Sequence, residues 1–124
     1  MDLKPGTYEN VVVLSPEGRI DHSNADGFQT ALEPFVKRCT GDSVKLVIEM
    51  RGVEYMSSVG LRVLMATAKQ VRAQKGEVVI SGLQPTMQEI FEIARFHHIF
   101  STYPDVRGAL AALSEAALAR FDGA

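Results

Sequence analysis

Segment 44–50 is the feature that most restricts the fold of this chain. Its centre, Leu46-Val47-Ile48, is a run of consecutive apolar residues without the alternation of a half-exposed strand. Because successive side chains of a strand point to opposite faces, such a run predicts a strand that is buried on both sides. We therefore expect segment 44–50 to be a central strand with helices packed over it.

Short apolar segments alternate along the chain with longer segments of helical periodicity. Strands are predicted at 11–14, 44–50 and 77–81, with a bend or turn near Gly18 before Arg19-Ile20 and a short extended piece after Phe100. Residues 51–57 are predicted to be a loop. Helices are predicted at about 23–39, 58–76, 85–94 and 104–121. Such alternation is typical of βαβ units, so we expect an α/β domain with a largely parallel sheet.

Several helix ends can be predicted from single residues. Ser23 and Asn24 are good N-cap types for the first helix. Pro34 interrupts that helix, which should kink or begin again at Glu33 or Pro34. Gly76 is a suitable end for the second helix. The last helix is predicted to be continuous, and its apolar stripe consists of Val106, Leu110, Leu113, Ala117 and Phe121.

Length and charge narrow the class of protein. A chain of 124 residues is sufficient for one compact domain. Its 13 Lys and Arg against 15 Asp and Glu give a net charge of -2, without the excess of positive charge that nucleic-acid binders usually carry. Residues 1–9 do not resemble a secretory signal, and no apolar stretch approaches the ~20 residues that cross a bilayer. We expect a soluble protein without nucleic-acid or membrane partners.

The reactive residue types outside the second helix predict no metal or cofactor site. A single cysteine, Cys39, fits a reducing compartment, so a cytoplasmic location is expected. Cys39 lies on the apolar stripe of the first helix and is predicted to be a small buried hydrophobe. His97 and His98 are adjacent, so their side chains would diverge on a helix or a strand and would not bind one metal ion together.

Two hydroxyls, Ser57 and Ser58, lie where the predicted loop becomes a helix, and Gly60 follows them. One hydroxyl could cap the helix while the other faces solvent. The N-terminus of the helix would also stabilise an anion, including a phosphate attached to a serine. A nucleophile elbow requires glycine two residues before the serine, where this chain has Met56, so a small serine hydrolase is only a remote alternative.

The segment 52–64, the earlier Gly18-Arg19-Ile20-Asp21 and the order of elements resemble the STAS domain, and more narrowly a bacterial anti-sigma factor antagonist. The resemblance extends from about Val11 to Leu113 and is most specific at 55–64. It implies a single STAS domain over residues 1–124 with a core at about 8–121. It also implies a mixed, mostly parallel sheet of four to five strands with about four helices.

Within this resemblance, Ser58 corresponds to the phosphorylated serine of the family, and Ser57 stands where many members have Asp, which makes Ser57 the alternative acceptor. Glu49 stands where the strand commonly ends in Asp, and Arg95 stands where a glycine often follows the third helix. The resemblance implies a partner-binding surface formed by Asp21, Ser23, Asn24, Met56, Ser57, Val59, Gly60, Leu61 and Arg62.

The resemblance implies a regulatory protein and not an enzyme. In the family, the unphosphorylated form binds a serine-protein kinase of ATPase fold that is also the anti-sigma factor, and phosphorylation abolishes this binding. A PP2C-type phosphatase restores it. A member of this kind needs no cofactor and is expected to be a monomer or weak dimer. The alternative is a STAS scaffold subunit of a stress-signalling or transport complex that lacks the phosphorylation switch.

Overall fold

The computed structural model describes residues 1–123, and within them the chain forms seven strands and five α-helices. The strands are β1 (Gly6–Tyr8), β2 (Val11–Leu14), β3 (Gly18–Ile20), β4 (Lys45–Glu49), β5 (Val53–Met56), β6 (Glu77–Ser81) and β7 (Thr102–Tyr103). The helices are α1 (Ala25–Arg38), α2 (Ser58–Ala73), α3 (Pro85–Ile93), α4 (Val106–Leu113) and α5 (Glu115–Gly123), with a 3-10 turn at Phe96–His98. None of the helices in residues 1–123 is long and apolar enough to span a membrane.

Five strands form one sheet in the order β1-β2-β4-β6-β7. Only β1 runs antiparallel to its neighbour, and the other three pairings are parallel. This confirms the prediction of a mixed, mostly parallel sheet in an α/β domain. The central position of β4 also confirms the prediction drawn from its continuous apolar run.

The sheet is covered on both faces because its apolar side chains alternate between two clusters. Leu46 and Ile48 of β4 belong to a core cluster that includes Phe28 of α1 and Leu64 of α2. Val47 belongs to the opposite cluster, beneath α4 and α5. Leu3, near the start of the chain, is also buried within the first cluster.

The predicted bend near Gly18 and the predicted loop at 51–57 together form a second, small sheet. Strand β3 does not continue the pairing of β2 but pairs in parallel with β5, which lies within the segment predicted as a loop. The prediction for 51–57 was therefore wrong in part. Segment 53–56 is short and exposes Glu54, so its strand character comes from pairing with β3 and not from its own apolar pattern.

Helix α1 is continuous through Pro34, so the predicted new start at Glu33 or Pro34 is wrong. The side chain of Pro34 is exposed. Because proline has no backbone N–H, the carbonyl four residues earlier lacks its helical hydrogen bond. Water can bind that carbonyl on this exposed face of the helix. Burial of Phe28, Leu32 and Val36 on the opposite face holds the helix together.

The end of α2 differs from its prediction because the left-handed residue is Lys75, with φ of 60°, and not Gly76. The Gly76 amide then donates to the Val71 carbonyl at 2.9 Å, as in a Schellman turn. Gly76 itself is needed for close packing: a β-carbon there would lie 2.3 Å from the carbonyl oxygen of Cys39. Arg95, which stands where the family often has glycine, is likewise left-handed, with φ of 61°.

The last predicted helix is two helices, because Ser114 adopts an extended backbone between α4 and α5. The Ser114 hydroxyl accepts a hydrogen bond from the Ala117 amide at 3.1 Å and so caps α5. The break lets α5 turn toward the edge of the sheet, where Phe121 packs edge-on against Tyr8 of β1 at 5.3 Å between ring centroids. The apolar stripe was predicted correctly, but the prediction that it lies on one continuous helix was wrong.

We expect Gly76→Ala to lower the free energy of unfolding by roughly 1–3 kcal/mol, because the added methyl group overlaps backbone that cannot easily move. Gly27→Ala is the matched control: Gly27 lies exposed within α1, and a β-carbon added there would meet nothing within 4 Å. That change should stabilise the protein by about 0.5–1 kcal/mol. Urea unfolding of both variants measures the difference, and equal stabilities would contradict the packing argument.

Candidate functional site

The small sheet of β3 and β5 holds the start of α2. Ile20 and Met56 are neighbours in its register, and both side chains are fully buried. Directly after β5, the amide of Ser57 donates to the carbonyl of Ile20 at 2.9 Å. The chain therefore enters α2 at a point that is bound to the end of β3.

Gly60 lets the first turn of α2 rest directly on these two strands. A β-carbon at this position would lie 2.4 Å from Cγ of Met56 and 3.0 Å from Cγ2 of Ile20. Any larger residue would push the helix away from the small sheet. The sequence showed only that Gly60 follows the two serines, and the structure adds that the absence of a side chain is required where the helix rests on the small sheet.

Ser57 occupies the N-cap position of α2 with an extended backbone, and its carbonyl accepts the Leu61 amide at 3.0 Å. Its hydroxyl makes no capping hydrogen bond, and its Oγ atom is buried without a hydrogen-bond partner in residues 1–123. The expectation that one serine hydroxyl caps the helix is therefore wrong. The Ser57 residue as a whole is half-buried, and it is the Oγ atom that is enclosed.

Ser58 is the first residue of α2, and its side chain is exposed. Because the first helical hydrogen bond comes from Leu61, the amides of residues 58–60 have no acceptor within the helix. These amides and the helix dipole stabilise negative charge at this end. The two adjacent serines thus differ sharply: one hydroxyl is accessible at an anion-tolerant position, and the other is enclosed.

The loop after β3 lies beside this helix start and is tightly hydrogen bonded. Oδ1 of Asp21 accepts the Ser23 hydroxyl at 2.6 Å and the Ser23 amide at 2.9 Å. These bonds to Ser23 hold the pKa of Asp21 below its usual value. Asn24 donates its side-chain amide to the Arg19 carbonyl at 2.8 Å and accepts from the Asp21 amide at 2.9 Å.

Asn24 is the N-cap residue of α1, as its type predicted, but its side chain binds the loop instead of capping the helix. The loop therefore has a fixed shape next to Ile20, whose carbonyl binds Ser57. This arrangement brings three of the predicted surface residues close to the start of α2, namely Asp21, Ser23 and Asn24.

A shallow depression of about 200 Å³ lies beside Ser58 and is lined by Ser58, Leu61, Arg62, Met65 and Phe96. Sequence reasoning had included the first three residues in the partner-binding surface but not the last two. Met65 follows Ser58 by seven residues on the same helix face, so helical spacing could have identified it. Phe96 comes from the turn after α3, and no local pattern connects it to α2.

Arg19 is a further surface residue that sequence reasoning missed. It lies opposite Tyr55 in the register of the small sheet, and its guanidinium carbon is 4.5 Å from the centre of the Tyr55 ring. This cation–π contact holds the charged side chain against the sheet. The contact between Arg19 and Tyr55 depends on the pairing of β3 with β5. Because the sequence did not predict β5, no sequence pattern indicated this contact.

Within residues 1–123, Ser57 Oγ has no hydrogen-bond partner, a histidine included. The described part of the chain also contains no group of three or more His, Cys, Asp and Glu side chains that could hold a metal ion. Cys39 is buried as predicted, its thiol donates to the Glu77 carbonyl at 3.3 Å, and burial raises the pKa of that thiol.

The arrangement of sheet and helices is that of the STAS domain, whose family model matches residues 4–109. The chain belongs to the STAS domain family. It is 32% identical over 120 residues, 97% of this chain and 100% of the other, to the "Putative anti-sigma factor antagonist BtrV" of Bordetella bronchiseptica.

Two solved structures are also similar. An anti-sigma factor antagonist from Mycobacterium paratuberculosis is 28% identical with a TM-score of 0.75, over 88% of this chain and 90% of that one. The Bacillus cell fate determinant SpoIIAA, in its phosphorylated form, has a TM-score of 0.67 at 14% identity, over 90% of this chain and 98% of that one. This second likeness concerns the fold alone.

Because the Ser57 hydroxyl is buried without a partner, we expect Ser57→Ala to leave the free energy of unfolding unchanged or to raise it by up to about 1 kcal/mol. The matched control is Ser81→Ala, since Ser81 is also buried but donates to Oε2 of Glu49 at 3.1 Å. That change should cost roughly 1–3 kcal/mol. Equal losses in denaturant unfolding would show that Ser57 Oγ has a partner in solution.

Proposed function

We propose that this protein is an anti-sigma factor antagonist that works by partner switching. In its unphosphorylated form it binds a serine-protein kinase of ATPase fold, which is also the anti-sigma factor, and phosphorylation of Ser58 ends this binding. A PP2C-type phosphatase removes the phosphate and restores it. The protein is a substrate of phosphoryl transfer and acts in the cytoplasm as a monomer or weak dimer.

The exposed hydroxyl of Ser58, the first residue of α2, is the observation that carries the proposal. A kinase must place the hydroxyl in line with the γ-phosphate of ATP, so the acceptor has to protrude from the surface. The Ser57 hydroxyl does not meet this requirement because its Oγ is enclosed. Full-length similarity to a named antagonist, at 32% identity, supports the same role.

Phosphate at Ser58 is compatible with the folded domain. A phosphoserine adds about -1.5 to -2 charges and three acceptor oxygens. At the start of a helix this charge meets the free amides of residues 58–60 and the positive end of the dipole. The fold should therefore change little, and the effect of phosphorylation must fall on the complex with the partner.

The partner provides the energy difference on which the switch depends. If the surface around Ser58 is buried in the complex, docking of the phosphorylated form desolvates a dianion or places it against acidic groups. Each ~1.4 kcal/mol lost reduces affinity tenfold, so a penalty of a few such steps is sufficient to separate the two proteins. The depression lined by Leu61, Met65 and Phe96 supplies apolar contact area beside the serine.

We expect the immobilised protein to retain an ATPase-fold kinase from extract of its own cells, and ATP to release that kinase as the protein gains one phosphate. Ser58→Ala should still retain the kinase but gain no phosphate, whereas Ser58→Asp should bind at least tenfold more weakly because it places a negative charge in the interface. Intact mass and titration calorimetry with the retained kinase measure both effects.

Ser57→Ala is the matched control and should accept phosphate at the rate of the unaltered protein. Uptake of phosphate by Ser58→Ala at that same rate would instead assign the acceptor to Ser57. Retention of no kinase at all would contradict the antagonist role. Labelling of Ser58 by a fluorophosphonate probe would overturn the proposal in favour of an enzyme.

A further inference from the structure

Helix α2 carries three positive side chains, Arg62, Lys69 and Arg72, and no acidic residue. Of the three, only Arg62 lies near the N-terminus of the helix. It follows Ser58 by four residues, so the two side chains are neighbours on one helix face. Both also line the same depression. The structure thus places a cation within reach of whatever is attached to the Ser58 hydroxyl.

Arg62 is exposed and forms no ion pair in the part of the chain that the structure describes. The other helix positions that adjoin it, Val59, Met65 and Ala66, are uncharged. In the unmodified protein the guanidinium therefore projects beside the serine without a carboxylate to hold it. Its five N–H donors in a planar fork suit a phosphate better than they suit any neighbour in α2.

We propose that Arg62 is the intramolecular partner of the phosphate on Ser58. This inference rests on the proposed function, since it concerns the phosphorylated form. An anion at position i with a cation at i+4 is the favourable order on a helix. In this order the anion lies nearer the positive N-terminal end of the helix dipole, and the cation lies nearer the negative C-terminal end. The guanidinium holds the phosphate along the rim of the depression.

The pairing gives phosphorylation two effects at the interface. It adds a dianion at Ser58, and it also engages Arg62, a cation that the unmodified protein can offer to an acidic group of the kinase. The surface beside the depression therefore changes from net positive to net negative in a single modification. Arg62 acts as a positioning residue for the phosphate and is not itself modified.

The test measures the second pKa of the phosphate by phosphorus NMR, on protein in which phosphoserine is incorporated at position 58 during translation. An exposed phosphoserine has a second pKa of about 6, and a guanidinium at contact distance favours the dianion. We expect Arg62→Gln to raise this pKa by roughly 0.3–0.6 of a pH unit at low salt, as an exposed charge at ~5 Å predicts.

Lys69→Gln is the matched control, because it removes one positive charge from the same helix more than two turns away. It should leave the pKa within about 0.2 of a pH unit of the unaltered protein, because at roughly three times the distance the Coulomb energy in water is about a third as large. Arg62→Lys should fall between the unaltered protein and Arg62→Gln, because the ammonium keeps the charge but loses the fork.

A pKa in Arg62→Gln equal to that of the unaltered protein, or a shift of the same size in Lys69→Gln, would overturn the pairing. Because the phosphate is introduced without a kinase, the measurement does not depend on whether a kinase recognises this protein. Failure of kinase retention would contradict the proposed function and leave the Arg62 result standing, so the two failures are distinguishable.

Discussion

The close contact between the first turn of α2 and the small sheet of β3 and β5 is the constraint on which the candidate site depends. Gly60 allows that contact, because a β-carbon there would overlap Met56 and Ile20. The hydrogen bond from the Ser57 amide to the Ile20 carbonyl also holds the start of α2 against the end of β3. Together they set how the helix begins and therefore which of two adjacent serines faces outward.

The hydrogen-bonded start of α2 is compatible with the proposed reversible switch. The Asp21 loop is held by its own hydrogen bonds, and the serine that protrudes beside it requires no rearrangement to be reached. In the proposed switch, the helix tolerates charge at Ser58, and the charge is opposed only when another protein covers it. Regulation of this kind needs two states of the surface and not two conformations of the domain.

The sequence predicted the parts of the fold that local patterns control. The run Leu46-Val47-Ile48 identified the central strand, and the spacing of apolar residues located all the main helices. Predictions failed where a distant contact decided the outcome. Strand β5 exists because it pairs with β3, and Ser114 breaks the last helix where α5 packs on β1. The local sequence of β5 does not indicate its pairing with β3, and the local sequence of the last helix does not indicate its packing on β1.

Sequence alone determined the α/β class and the resemblance to STAS domains, and it singled out Ser57 and Ser58 as candidates, because periodicity and motif are properties of neighbouring residues. Only the tertiary structure showed that the Ser58 side chain is exposed while Ser57 Oγ is buried, and that Phe96 and Arg62 line one depression. The reason is that burial depends on residues far away in the chain: strands β3 and β5 set the start of α2, and that setting leaves Ser58 exposed.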